Sequence, residues 1–235
     1  VSAETSDIKV TAIEKVNTDY EIYPSPQSVE YEEGSFNFGS DVNVVYEKGI
    51  DNYTKSRLED EILKAHSISY EVSDSNQIIN GKTNILVGVY GSGEAVDRYA
   101  EKYTLLTENL FSKTDSYFLV SDNNVITVLG KDTDSAFYGL TTLYHIFNQV
   151  TDNEIRNFKI EDYANVVTRG FIEGYYGNPW SVQDRADLMT YGGYYKLNAY
   201  FYAPKDDPKH RVQWRSLYTE DELKWIKQLA DAGNA

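Results

Sequence analysis

The sequence predicts an α/β protein in two parts: a mixed α/β domain, followed by strand–helix units of a parallel sheet. Three observations predict it. β-Branched and aromatic runs bounded by turn residues alternate with segments of helical apolar spacing along most of the chain. From Val166 onward the order is strand, helix, strand, helix, with strands that are nearly continuously apolar, as parallel strands covered on both faces are. The unusual residues of this second part, Gly174 to Pro179 and Pro204 to Pro208, cluster where its strands end, which in a (β/α)8 barrel is where the active site is built.

Taken in order, residues 1–20 are polar and without period, and read as a flexible arm. Pro24 and Pro26 punctuate an extended entry, and "SVEYEEGSFNF" alternates around Gly34 as a hairpin or short meander does. "DVNVVYE" is a β-branched strand. "TKSRLEDEILKAH" places Leu58, Ile62 and Ala65 at helical spacing. "TNILVGVYGSGEAVDRYAEKY" reads as strand, turn and helix. "SYFLVSDNNVITVLG" reads as two strands around a tight turn at Asp122, Asn123 and Asn124. Asp132 or Asp134 caps a helix whose apolar stripe is Phe137, Leu140, Tyr144 and Phe147. In the second part, "VVTRGFIEGYYG" is a strand and "WSVQDRADLMTYGGYYK" a helix capped by Ser181. "LNAYFYAP" is a strand, "KDDPKHRVQWRSLY" a loop, and "TEDELKWIKQLADAG" a helix opened by the capping box Thr219-x-x-Glu222.

Composition narrows the function. The 235 residues carry 37 Asp and Glu against 22 Lys and Arg, a net charge of −15, which disfavours nucleic acid and anionic lipid and leaves a neutral ligand such as a sugar unpenalised. There is no cysteine, so thiol catalysis, disulfides and thiolate metal sites are absent from the chain. His66, His145 and His210 show no ligand spacing, so neither a metal nor another cofactor is expected. No apolar run is long enough to span a membrane. The start "VSAETSD" is either the small-residue end of a removed signal peptide or an arbitrary chain start. "VGVYGSG" follows a strand and precedes a helix, but it lacks the third glycine of a dinucleotide loop and the Lys-Ser/Thr of a P-loop, and reads as a tight βα turn.

The blocks EGYYG-x-PW and YAPKDDPKHR-x-x-WR, in this order and spacing, resemble the opening of the catalytic barrel of glycoside hydrolase family 84. These are the β-N-acetylglucosaminidases, often called hyaluronidases in bacteria. The preceding domain is similar, less closely, to the non-catalytic domain that precedes the barrel in this family and in family 20 hexosaminidases. The implied division is 1–20 flexible arm, 21–163 non-catalytic α/β domain, and 164–235 the first two βα units of a (β/α)8 TIM barrel. A whole barrel needs about 250 residues, so the chain is expected to be a truncated part of its parent.

The resemblance implies that the parent removes terminal β-linked N-acetylglucosamine from glycans or glycoproteins by retaining, substrate-assisted catalysis, in a secreted or cell-surface setting. It implies that Gly174 offers its backbone to the sugar, Tyr176 lines the pocket, and Lys205 donates to ring hydroxyls. The catalytic Asp pair is expected beyond residue 235, so none of the residues present is assigned a catalytic role and the chain alone is expected to be inactive. Asp206 and Asp207 are expected to organise their loop with Lys209, His210 or Arg211. Glu173, pointing the other way along its strand, is expected to accept from a neighbouring basic group such as Arg169 or Arg211. The alternatives are a hexosaminidase of another family and a non-catalytic carbohydrate-binding or adhesive module.

Overall fold

The computed structural model describes residues 19–73, 77–174, 179–205 and 207–234. The larger part is a seven-stranded sheet. Its strands are β1 (Ser28–Asn37), β2 (Asp41–Tyr46), β3 (Ser69–Val72), β4 (Thr83–Val89), β5 (Thr114–Asp122), β6 (Val125–Gly130) and β7 (Glu154–Ala164), in the order β1-β7-β5-β6-β4-β2-β3. The β3-β2-β4-β6 side is parallel, whereas β5, β7 and β1 are joined antiparallel.

Both faces are covered. On one face, α1 (Asn52–Ser56) runs into a π-helical segment (Arg57–Lys64), and these lie with α3 (Thr133–Phe147) over Val44, Ile85, Leu119, Ile126 and Phe158. On the other, α2 (Ala95–Ala100) and the short turn of helix at Leu110–Ser112 cover Val45, Leu86, Phe118 and Leu129.

Several local expectations hold and several change. The turn at Asn123 and Asn124 has φ of 47° and 65°, the left-handed pair that a two-residue hairpin of primed type requires. Asp132 caps α3, accepting from the Ser135 amide at 2.8 Å. "SVEYEEGSFNF", expected as a hairpin or short meander, is instead one strand paired with β7, with a bulge between Tyr31 and Ser35. Gly34 takes φ +92° inside that bulge, and any Cβ there would lie 3.1 Å from Asn157 Nδ2. Ala65 is exposed, and Leu63 joins Leu58 and Ile62 in the core, because the helix widens to π geometry over this stretch. Tyr20, counted with the arm in the sequence reading, packs edge-on against Phe158 with ring centroids 6.1 Å apart.

The "VGVYGSG" turn has its own explanation. Glu47, 2% exposed, accepts from the amides of Val89 and Asp97, each at 2.8 Å, and from the Ser92 hydroxyl at 2.9 Å. Asp97 accepts from the amides of Gly91 and Gly93 at 3.0 and 2.9 Å. The amides that a phosphate would need are already held by two carboxylates.

The second part consists of β8 (Gly170–Glu173), α4 (Val182–Gly193), β9 (Ala199–Tyr202) and α5 (Glu220–Gly233), with β8 and β9 parallel. It docks on α3 and β7. Lys196 reaches into the first domain, where its Nζ lies 2.9 Å from Asp162 Oδ2 and 2.8 Å from the Tyr117 hydroxyl. Tyr194 stacks on Tyr144 at 4.8 Å, and the buried Arg57 guanidinium lies between the Phe137 and Tyr194 rings at 4.5 and 4.6 Å. Arg169 pairs with Asp115 at 2.8 Å.

His145 joins the same contact. Its Nδ1 accepts from the Tyr23 amide at 3.2 Å, so Nε2 carries the hydrogen and donates to the Tyr194 carbonyl at 2.8 Å. Burial lowers its pKa from the ordinary 6.5 against the pull of the Tyr194 carbonyl, and the Lys196 and Arg57 charges lower it further.

Two outcomes follow for stability. Lys196→Met strands the Asp162 carboxylate in the interface and is expected to cost about 3–5 kcal/mol in a denaturant titration; Lys196→Met combined with Asp162→Asn is expected to cost much less than the two changes added. His145 must stay neutral in the fold while the unfolded chain binds its proton below 6.5. Stability is therefore expected to fall as pH drops from about 6.5 through the lower folded pKa, and Tm against pH for His145→Gln should lose that slope.

Candidate functional site

The two strands of the second part alternate cleanly. Phe171 and Glu173 of β8, with Tyr200 and Tyr202 of β9, face α4 and α5. Ile172 and Phe201 face away and are 73% and 51% exposed. That face of the two-stranded sheet therefore presents an aliphatic and an aromatic side chain uncovered by the helices.

Glu173 is buried and explains its own place in an apolar strand. Arg185 of α4 donates to both its oxygens, from Nε at 2.8 Å and from Nη2 at 2.6 Å, and the Tyr200 hydroxyl donates to the same carboxylate. The partner is a basic group, as expected, but it is Arg185 rather than the Arg169 or Arg211 offered as examples: Arg169 is turned back to Asp115 and the carbonyl of Lys196. The carboxylate bonds raise the already high pKa of Arg185, although burial opposes them.

Gly174 follows directly on Glu173 and is exposed. Its φ lies outside the left-handed region, and a Cβ there would meet nothing within 4 Å among the described residues. Gly170 differs: its Cβ would fall 1.7 Å from the Ala199 carbonyl oxygen, so that glycine exists for strand pairing. Among the described residues Gly174 shows no such packing reason. Lys205 lies in the turn after β9, exposed. Since Glu173 pairs with Tyr202 in register, Gly174 and Lys205 both leave from the C-terminal ends of adjacent strands. Tyr176 and Asp206 lie outside the described residues.

Asp207 organises its loop, in the role expected from the sequence. It accepts from the amides of Lys209 and His210 at 2.7 and 3.4 Å, and from the hydroxyls of Tyr202 and Tyr218 at 2.8 and 3.0 Å. Burial pushes its carboxyl up, yet these four donors together hold it below its ordinary value. The two tyrosines, absent from the sequence reading, are raised chiefly by burial, Tyr218 to about 12. Lys209 instead bonds the Leu217 carbonyl at 2.6 Å and lies 3.4 Å from Glu222.

Arg185 was also missed, although a signal existed. Arg185, Met189 and Gly192 share one face of α4 at helical spacing, so one charge sits on an otherwise packed stripe opposite a strand that buries one glutamate. A cleft of about 410 Å³ lies elsewhere, between Arg57, Phe137 and the ends of α4 and α5. It opens at the N-terminal ends of β8 and β9 and includes neither Gly174 nor Lys205.

The architecture is an α/β domain leading into two parallel βα units. Residues 169–235 match the β-N-acetylglucosaminidase family, and residues 19–163, more than half of the chain, match glycosyl hydrolase family 20, domain 2. Among solved structures, CpGH84D is 47% identical with a TM-score of 0.86 over 92% of this chain and 36% of that one. CpGH84B is 29% identical with a TM-score of 0.72 over 92% and 35%. The Protein O-GlcNAcase of Rattus norvegicus is 43% identical over 63 residues, 27% of this chain and 7% of the relative. Residues 19–163 therefore belong to glycosyl hydrolase family 20, domain 2, and the chain as a whole is similar to one part of the CpGH84D and CpGH84B structures, spanning about a third of each.

The two glycines differ in what packs against them. Gly170→Ala is expected to force β8 and β9 apart and lower Tm by several degrees. Gly174→Ala is expected to leave Tm within about 2 °C, because a Cβ there meets nothing within 4 Å among the described residues. Calorimetry on both variants checks this.

Proposed function

We propose that the protein carrying this chain removes terminal β-linked N-acetylglucosamine from glycans or glycoproteins, and that this chain supplies one wall of the sugar site. The observation that carries the reading is the pairing of a bare glycine backbone, Gly174, with an exposed lysine, Lys205, at the C-terminal ends of two adjacent parallel strands. At such ends a backbone carbonyl accepts from one ring hydroxyl and an ammonium donates to another, holding a neutral sugar by its edge. Tyr176 would line the same wall.

The bond-breaking carboxylates belong to a later strand. The substrate's own acetamido oxygen would attack the anomeric carbon, held in place by one Asp. The second Asp would first give a proton to the leaving oxygen and then take one from water, with net retention. No cofactor enters this scheme. Asp207 is not one of that pair, because four donors already occupy its two oxygens within the loop. Among glycans, hyaluronan-type polymers and N-acetylglucosamine on glycoproteins both present the required terminal sugar, and a secreted or cell-surface protein would meet either.

Turnover of an aryl N-acetyl-β-glucosaminide tests the reading. The catalytically complete protein is expected to release the aryl alcohol, whereas residues 1–235 alone are not. In the complete protein Lys205→Ala is expected to lower kcat/KM by about 10- to 150-fold, the worth of a hydrogen bond from a charged donor, with Tm unchanged. Turnover by the chain alone that vanishes in Asp207→Asn would return Asp207 to the catalytic centre.

A further inference from the structure

Behind the candidate site lies a chain of polar contacts that joins its two strand ends. The Glu173 and Arg185 side chains are buried, 0% and 6% exposed, and meet through a two-pronged contact. The Tyr200 hydroxyl closes on the same carboxylate. The Arg185 guanidinium faces the Tyr202 ring at 5.1 Å and the Trp225 ring at 5.8 Å. Tyr202 then donates to Asp207 at 2.8 Å, and Asp207 holds the amides of Lys209 and His210. The contacts thus run from the residue before Gly174 to the loop that carries Lys205.

Stability is a poor reason for such an arrangement. A buried ion pair generally gains little over apolar side chains of the same volume, because desolvation offsets the attraction. What the pair does supply is geometry: a planar fork on a carboxylate fixes distance and angle together, which an apolar contact does not. Binding and catalysis are sensitive to that, since misplacement of a contact group by about 1 Å costs on the order of 100-fold.

We propose that Glu173 and Arg185 are positioning residues of the sugar site: the pair fixes the height of the β8 end at Gly174 and, through Tyr202 and Asp207, the loop bearing Lys205. The pair touches no substrate. This rests on the reading that these strand ends bind N-acetylglucosamine.

The test compares Glu173→Gln with the double variant Glu173→Gln/Arg185→Met, in the catalytically complete protein. Three quantities are read: Tm, kcat/KM on an aryl N-acetyl-β-glucosaminide well below Tm, and hydrogen exchange at the amides that the 207–210 loop carries, those of Asp207, Lys209 and His210. Glu173→Gln leaves the guanidinium stranded, so Tm is expected to drop and kcat/KM to fall about 10- to 100-fold. The double variant removes the stranded charge. Its Tm is expected to recover while kcat/KM stays low, and amide exchange at 207–210 is expected to be faster in both variants. Recovery of Tm and kcat/KM together would make the pair a matter of charge burial alone and overturn the proposal. Unchanged exchange at 207–210 would overturn it as well. A wild-type protein without turnover would sink the reading of the site instead, and the exchange at 207–210 would then decide the positioning by itself.

Discussion

The ammonium of Lys196 is the point on which the two parts of the chain are joined. It sits just past the end of α4 with φ 59°, a left-handed position where glycine is the ordinary choice and a side chain costs about 1 kcal/mol. The lysine is there because its side chain is needed at partners distant in sequence, 34 residues away at Asp162 and 79 away at Tyr117. Burial pushes its pKa down and Asp162 pulls it back up. An ion pair so enclosed tolerates little displacement, because either partner alone would be a buried charge. Around it the Arg57, Tyr144, Tyr194 and His145 contacts and the Arg169–Asp115 pair extend the same surface.

From that joint the site follows through α4. The helix has 12 residues, a rod about 18 Å long. Just beyond its C-terminal end, Lys196 is locked into the first domain. Near its N-terminal end, Arg185 is locked to Glu173 at the far end of β8. One rigid element therefore ties the strand ends, where the proposed ligand groups lie, to the seven-stranded sheet. The capping box of Ser181 and Asp184 secures the end of the rod nearest the site.

Much of this was legible in the sequence where local chemistry decides. The Asn123-Asn124 turn, the Asp132 cap and the Thr219 capping box each rest on a side chain within a few residues, and all appear as expected. The two parallel strands and the placing of Gly174 and Lys205 after them also came from pattern. What was not legible depends on partners distant in sequence. β7 was missed because its residues, "EIRNFKIEDYA", mix charges into a strand buried by neighbours on both sides. Gly34 was read as a hairpin turn because a bulge and a turn ask the same backbone freedom of glycine, and only pairing with β7 tells them apart. Glu173 was given the nearest arginines, whereas its partner is chosen by the face of α4 that packs on the strand.

The central claim is that the C-terminal ends of β8 and β9 form one wall of an N-acetylglucosamine site. The most direct measurement is a crystal structure of the catalytically complete protein with N-acetylglucosamine bound. The account expects the Gly174 carbonyl oxygen and the Lys205 Nζ each about 3 Å from a sugar hydroxyl. A sugar bound with neither residue within hydrogen-bonding reach would contradict it.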